Sequence, residues 1–147
     1  LDTSRGLGDV YKRQAMANAV KFGGTSLILD MTLPVIASPK FLSKMKDNAL
    51  KYENYLGLDD YNGVSKLMHG GFTTNWDFDW SKLDLPVLVL TGHFDKVFRI
   101  EDDINNLIKN MKNVKRIEVP ECGHLIPIED PELFSYHLSG FIISLKY

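Results

Sequence analysis

The chain alternates between stretches whose apolar residues recur every three to four positions and short continuous apolar runs, a pattern expected of helices and buried strands in succession. Over Ala15 to Phe22, Met16, Ala19 and Val20 keep helical spacing and Gly23-Gly24 supplies a stop, so a helix is expected to end there. Ser26 to Asp30, SLILD, follows as a short apolar run suited to a buried parallel strand. From Met31 to Leu85 the helical period returns through Phe41, Met45, Ala49, Tyr52 and Leu56, with Pro34 and Pro39 at its entrance and a second short helix expected at Tyr61 to Met68. The aromatics Phe72, Trp76, Phe78 and Trp80 have little regular period and read as loop residues packed on a surface.

The strongest strand signal is Pro86 to Thr91, PVLVLT, continuously apolar and rich in β-branched residues, hence expected to be covered on both faces. An amphipathic helix is expected over Asp102 to Asn113, with Ile104, Leu107, Ile108 and Met111 on one face. Lys115 to Val119, KRIEV, reads as a shorter strand. Asp130-Pro131 then opens a final helix, with a capping oxygen before a first-turn proline and a buried stripe of Phe134, Leu138, Phe141, Ile142 and Leu145. Helix, strand, helical insertion, strand, helix, strand, helix is the order of a layered α/β domain with parallel strands.

Leu1 to Gln14, LDTSRGLGDVYKRQ, stands apart because it has no apolar periodicity. Its end, Asp9 to Gln14, resembles the read-through translation of a sequencing-library adaptor, so these residues are set outside the fold and the natural protein is expected to continue upstream of Ala15. The expected organisation is residues 1–14 as this foreign segment, 15–32 and 84–147 as the core, and 33–83 as a helical cap or lid.

Composition narrows the function classes. A chain of 147 residues, 44% hydrophobic and 24% charged, has the make-up of one globular domain. The net charge of -2, with basic residues spread along the chain, lacks the footprint of a nucleic-acid binder. No apolar run approaches the roughly 20 residues of a membrane span, so no membrane partner and a cytoplasmic address are expected. Cys122 is the single cysteine and has only His124 near it at ligand spacing, so neither a metal nor a cofactor is expected.

In α/β sheets the ligand site lies beyond the carboxyl ends of the strands. PVLVLT runs into Gly92-His93-Phe94-Asp95, and KRIEV runs into Pro120-Glu121-Cys122-Gly123-His124. An acid and a histidine therefore leave consecutive strand ends on one edge. A hydroxyl nucleophile needs this pair, because the imidazole must take its proton and a carboxylate must hold the imidazole in one tautomer.

The block from Leu85 to Leu138 resembles the C-terminal signature of the α/β-hydrolase superfamily: an apolar strand into G-x-x-D, a later strand into G-H, and an acidic-proline helix start. Here these read LPVLVLTGHFD and IEVPECGHLIPIEDPELF. The resemblance implies an α/β-hydrolase fold with Asp95 as the catalytic acid and His124 as the catalytic base. It further implies a hydrolase of an ester, thioester or amide working on a small-molecule substrate by Ser-His-Asp chemistry.

The nucleophile is not in this sequence. No serine lies in G-x-S-x-G, and Ser26 leads into SLILD where an elbow must follow a strand and open a helix. The resemblance places the elbow and the oxyanion-hole loop upstream of Ala15, so this chain alone is expected to be inactive. His69-Gly70-Gly71-Phe72 looks like a lipase oxyanion loop but falls inside the insertion and reads as a turn. Asp30, at the end of SLILD, ranks second to Asp95 as the acid. His93 reads as a loop residue beside the acid, Cys122 as apolar filler, and His137 as a surface or packing residue. Two alternatives stay open: an upstream aspartate nucleophile, giving a dehalogenase or epoxide hydrolase, and a non-catalytic α/β binding module. The oligomeric state is open as well.

Overall fold

A computed structural model describes residues 3–57, 63, 66–67, 70 and 78–145. The chain divides into two compact units, Leu1–Thr32 with Asn48–Asp77, and Leu33–Asp47 with Phe78–Tyr147. Residues 33–47 thus group with the strand-bearing segment, whereas the sequence pattern put them with the insertion. The expected helix over Tyr61 to Met68 lies mostly outside the described residues, as do His69, Gly71, Phe72 and Trp76.

The first unit is built on helix α1, Thr3–Ile36, which is interrupted at Gly24, where φ 62 and ψ -157 are values that L side chains rarely adopt. Gly23-Gly24 was expected to stop the helix, and it does break it, but the chain re-enters helix at once. Ser26 to Asp30 is therefore helical, and the expected strand is corrected. A three-residue apolar run does not distinguish the two states. A strand must find partners for its backbone groups, whereas a helix satisfies them within itself. Thr3 to Gln14, set outside the fold on sequence grounds, also belongs to this helix.

Within the first unit Ala19 and Val20 are buried. Asp30 accepts hydrogen bonds from the Leu50 N–H at 2.9 Å and the Tyr55 hydroxyl at 2.8 Å. The bond to Asp30 raises the Tyr55 hydroxyl above its ordinary pKa. Gln14–Ile36 meets the length and mean hydropathy of a membrane span, 23 residues at 1.3, with about a third of that stretch buried. The sequence reading expected no stretch of this length; by length and hydropathy this one qualifies, although it contains Lys21, Asp30 and the Gly24 break.

The second unit carries the sheet. Strand β1, Val87–Gly92, pairs in parallel with β2, Val114–Val119, in a register that sets Val87 against Val114 and Gly92 against Val119. Among the described residues the sheet has these two strands rather than the three expected, because SLILD is helical. Between them runs helix α3, Glu101–Ile108, following α2, Pro39–Met45, in chain order. The short helix α4, Ile126–Glu129, and the longer α5, Pro131–Ser144, follow β2.

Local chemistry explains most of these ends. Ser38 caps α2 by accepting from the Phe41 N–H, with Pro39 at the first turn. The helical spacing that runs on to Leu56 is not followed: α2 stops at Met45, and Leu50 has a positive φ of 57. Asp130 caps α5 through the Leu133 N–H at 3.0 Å, as its place before Pro131 predicts. The α3 helix ends five residues short of expectation, at Ile108, with Ile104 buried and three acids in its first turn.

The core of this unit is Val119, Cys122 and Ile126, with Leu90, Leu133 and Phe134 packed against it. Coverage falls short of the sequence pattern. Val87 to Leu90 are only half-buried, and on α5 Leu138, Ile142 and Leu145 are exposed although a buried stripe was expected.

Candidate active site

The parallel register sends two loops off the same end of the sheet at the same level, one after Gly92 and one after Val119. They approach so closely that no side chain fits between them. A Cβ on Gly92 would lie 2.7 Å from the Cys122 carbonyl oxygen; on its other side the histidine loop packs as closely on the Ile36–Ala37 backbone, where a Cβ on Gly123 would lie 2.7 Å from Ala37 Cα. The backbone ties the loops together through the His93 N–H to Val119 and the Phe94 N–H to Cys122, both at 3.0 Å.

At this junction Asp95 and His124 meet. Asp95 Oδ2 lies 2.8 Å from His124 Nδ1. The other carboxylate oxygen, Oδ1, accepts the N–H groups of Val97 and Phe98 at 3.0 and 2.8 Å. Asp95 is 5% exposed, so these three bonds replace most of its hydration. An ionised carboxylate only accepts, so Nδ1 must carry the imidazole proton and Nε2 is left as a proton acceptor. The His124 side chain is 43% exposed, which leaves the imidazole reachable by another molecule. The Phe98 ring covers one face of the imidazole, with centroids 4.5 Å apart and a tilt of 37°.

A recess of about 200 Å³ opens beside the pair, lined by Leu90, Thr91, Gly92, Asp95, Phe98, Arg99, Ile104, His124 and Ile126. Its wall is mostly apolar, with the acid and the imidazole as convergent polar groups, the composition expected of a small-molecule site. The hydroxyl of Thr91 is buried there with no hydrogen-bond partner.

Behind the recess a charged network fastens the acid loop to β2 and α3. Arg99 pairs with Glu118 at 2.6 Å and Glu101 at 3.0 Å, and Arg116 holds Glu101 through two bonds at 2.8 and 2.9 Å. Arg99 and then His93 keep the Glu118 carboxyl below its usual range, and Arg116 does the same for Glu101. The periodicity of KRIEV shows alternation but not these partners.

Several singled-out residues have other roles. Asp30 serves Leu50 and Tyr55. His93 is exposed and faces Glu118 at 3.2 Å. Cys122 is 1% exposed, and burial, reinforced by Glu129 and Asp130, pushes its thiol up to about 11. His137 sits on α5 with its ring 5.3 Å from Tyr136. Ser26 is within α1 and not at a strand-to-helix turn. Phe78 and Trp80 stack edge to face at 4.9 Å. Among the described residues no group of three or more His, Cys, Asp or Glu side chains could hold a metal.

Two residues escaped the sequence reading. Phe98 caps the imidazole, and its position three residues after the acid was the available signal. Glu129 is 6% exposed, yet its carboxylate accepts three backbone N–H groups, from Ser38 and Gly123 at 2.9 Å and from Leu125 at 3.1 Å. In sequence it is one of several acids ahead of Pro131, with nothing to mark it as buried.

No family model matches the sequence. A protein of Bacillus subtilis described as a putative 2-succinyl-6-hydroxy-2,4-cyclohexadiene-1-carboxylate synthase is 33% identical over 87 residues, which cover 56% of this chain and 31% of that protein. Among solved structures, a thermophilic esterase from Thermogutta terrifontis superposes with a TM-score of 0.71 at 20% identity, covering 93% of this chain and 50% of that one. An α/β hydrolase from a Medee basin deep-sea metagenome library follows at 0.67 and 18% identity, covering 92% and 50%. The enol-lactonase of Burkholderia xenovorans gives 0.67 at 15% identity, covering 90% and 49%. Parallel strands, flanking helices and these superpositions together show that the chain has the α/β-hydrolase fold and spans about half the length of the solved chains it matches.

Proposed function

We propose that this chain carries the acid and the base of a hydrolase acting on an ester, thioester or amide, and that the parent protein supplies a serine nucleophile from outside this sequence. The observation that carries the reading is the buried Asp95 carboxylate 2.8 Å from His124 Nδ1, with its second oxygen already held by two N–H groups. A carboxylate so held fixes one tautomer of the imidazole. His124 Nε2 then takes the proton of an attacking hydroxyl and returns it to the leaving group. The apolar recess beside the pair suits the acyl or alkyl part of a small substrate.

The esterase and the enol-lactonase among the structural neighbours support acyl chemistry over the aspartate-nucleophile alternative. The shares of those chains that are covered, 50% and 49%, support a parent about twice this length, with the elbow and oxyanion hole in its other half. The same reading takes the cap that sets substrate choice from the 33–83 insertion, beyond the 33–47 stretch that groups with the strands, and places the enzyme in the cytoplasm, with no nucleic-acid or membrane partner. Against a membrane role stand the Gly24 break and the two hydrogen bonds to Asp30 within the stretch that, among the described residues, is long enough to span.

The test is to recover the flanking coding sequence, express the continuous protein and assay it on short acyl esters. A fluorophosphonate probe should label a serine, and His124→Ala should reduce turnover by about 10⁴-fold. Retained turnover in that variant, or an unlabelled protein that hydrolyses esters, refutes the assignment.

A further inference from the structure

The loop that presents His124 is held by an unusual concentration of backbone bonds. Three successive amides are engaged: Gly123 donates to Glu129 Oε2 at 2.9 Å, His124 to the Ile36 carbonyl at 2.6 Å, and Leu125 to Glu129 Oε1 at 3.1 Å. Glu129 Oε2 also accepts the Ser38 N–H at 2.9 Å, which ties the Ile36–Ser38 segment to the same carboxylate. The residues on both sides of His124 thus depend on one side chain.

That side chain is an unlikely choice for packing alone. A carboxylate at 6% exposure loses nearly all its hydration, and among the described residues no Lys, Arg or His pairs with it. Its compensation comes from N–H groups of the histidine loop and of the segment that loop leans on, a charge-assisted arrangement stronger and more directional than neutral contacts. With the amides of 123, 124 and 125 fixed, only the side-chain torsions of His124 remain to bring Nδ1 to Asp95. Placement errors of an ångström are enough to cost about 100-fold in rate at such a site.

We infer that Glu129 is a positioning residue: its buried carboxylate holds the His124 loop so that the imidazole meets Asp95 in the Nδ1–H tautomer. This rests on the reading of Asp95 and His124 as an orienting acid and a base.

The experiment is ring-nitrogen NMR of the ¹⁵N-histidine-labelled 147-residue chain at a pH where imidazole is neutral, which reads the tautomer of His124 directly. The wild-type chain should show His124 as Nδ1–H. In Glu129→Gln, where one acceptor oxygen becomes a donor, that tautomer should fall to about half or less, approaching a free ring. Amide exchange at Gly123 and Leu125 should quicken roughly tenfold or more. A variant that melts earlier but keeps the wild-type tautomer assigns Glu129 to stability alone and overturns the inference, as does an unchanged spectrum with unchanged exchange. If Glu129→Gln does not fold, Glu129→Asp keeps the charge and both oxygens at shorter reach, and it should give a tautomer ratio shifted from wild type. An unshifted ratio, or a second failure to fold, overturns the inference. Asp95→Asn is run in parallel: if it leaves the Nδ1–H tautomer intact, the acid–base reading itself fails, whatever Glu129 does.

Discussion

Replacing Gly123 with alanine tests how tightly the His124 loop packs on the Ile36–Ser38 segment. The position does not have a positive φ, so the cost is steric and not conformational. The new Cβ would lie 2.7 Å from Ala37 Cα and 2.8 Å from the Ile36 carbonyl carbon, whereas ordinary contacts begin at 3.4 Å. All the obstructing atoms are backbone, so the loop and the Ile36–Ser38 segment must separate by about 0.7 Å or more. That separation would weaken the His124 N–H to Ile36 bond, from 2.6 to about 3.3 Å, and take the Ser38 N–H to Glu129 bond from 2.9 to about 3.6 Å, beyond useful length. Overpacking costs about 1–3 kcal/mol, a weakened neutral bond up to about 1, and a lost bond to a charged group about 1.5–3. Alanine regains roughly 0.4–1 kcal/mol through the stiffer unfolded chain. Since these terms share the same movement and do not simply add, the expected loss is about 3–4 kcal/mol. Urea unfolding followed by tryptophan fluorescence measures it, with Gly140→Ala as the control. Gly140 lies in α5 with open space where a Cβ would go, so alanine there should stabilise by about 0.5–1 kcal/mol. A Gly123→Ala chain within about 1 kcal/mol of wild type, on a scale where Gly140→Ala has the expected sign, would refute the close-approach argument.

Three further outcomes are expected. Because the Cys122 thiol is raised to about 11, alkylation by iodoacetamide at pH 8 should be about 100-fold or more slower in the native chain than in urea, and a ratio near one would refute its burial. The same shift adds stability that is fully present below the unfolded thiol pKa and is lost as pH rises from about 9 to about 11; a melt insensitive to pH in that window, relative to Cys122→Ala, would count against it. Thr91→Val removes a buried hydroxyl that lacks a partner while keeping the branched shape, so stability should be unchanged or higher by up to about 1 kcal/mol, and a loss above that range would reveal a bond the structure does not show.

The sheet and its loops were legible because β1 announces itself by five apolar or β-branched residues in a row and because an acid and a histidine follow consecutive strands. Asp130-Pro131 marked a helix start through chemistry confined to adjacent residues. SLILD was misread for the opposite reason: whether three apolar residues form a strand depends on a partner elsewhere in the chain, which no local pattern encodes. The spacing through Phe41 to Leu56 failed similarly, since a helical period does not reveal that the chain leaves α2 at Met45. Glu129 was invisible because its role is defined by Ser38, 91 positions away, and by amides, which every residue carries alike.

The register of β1 and β2 has a bearing on how such a chain diverges. What sets the two loops level is a ladder of main-chain bonds, and that ladder is indifferent to most of the side chains it carries. Substitutions along either strand can accumulate without moving Asp95 relative to His124, provided no residue is gained or lost between Val87 and Gly92 or between Val114 and Val119. A single insertion would offset the loops by one residue, about 3.3 Å, more than the length of the bond that joins the pair. Drift in letters is therefore cheap here and drift in length is not, which accords with superposition on a lactonase at only 15% sequence identity.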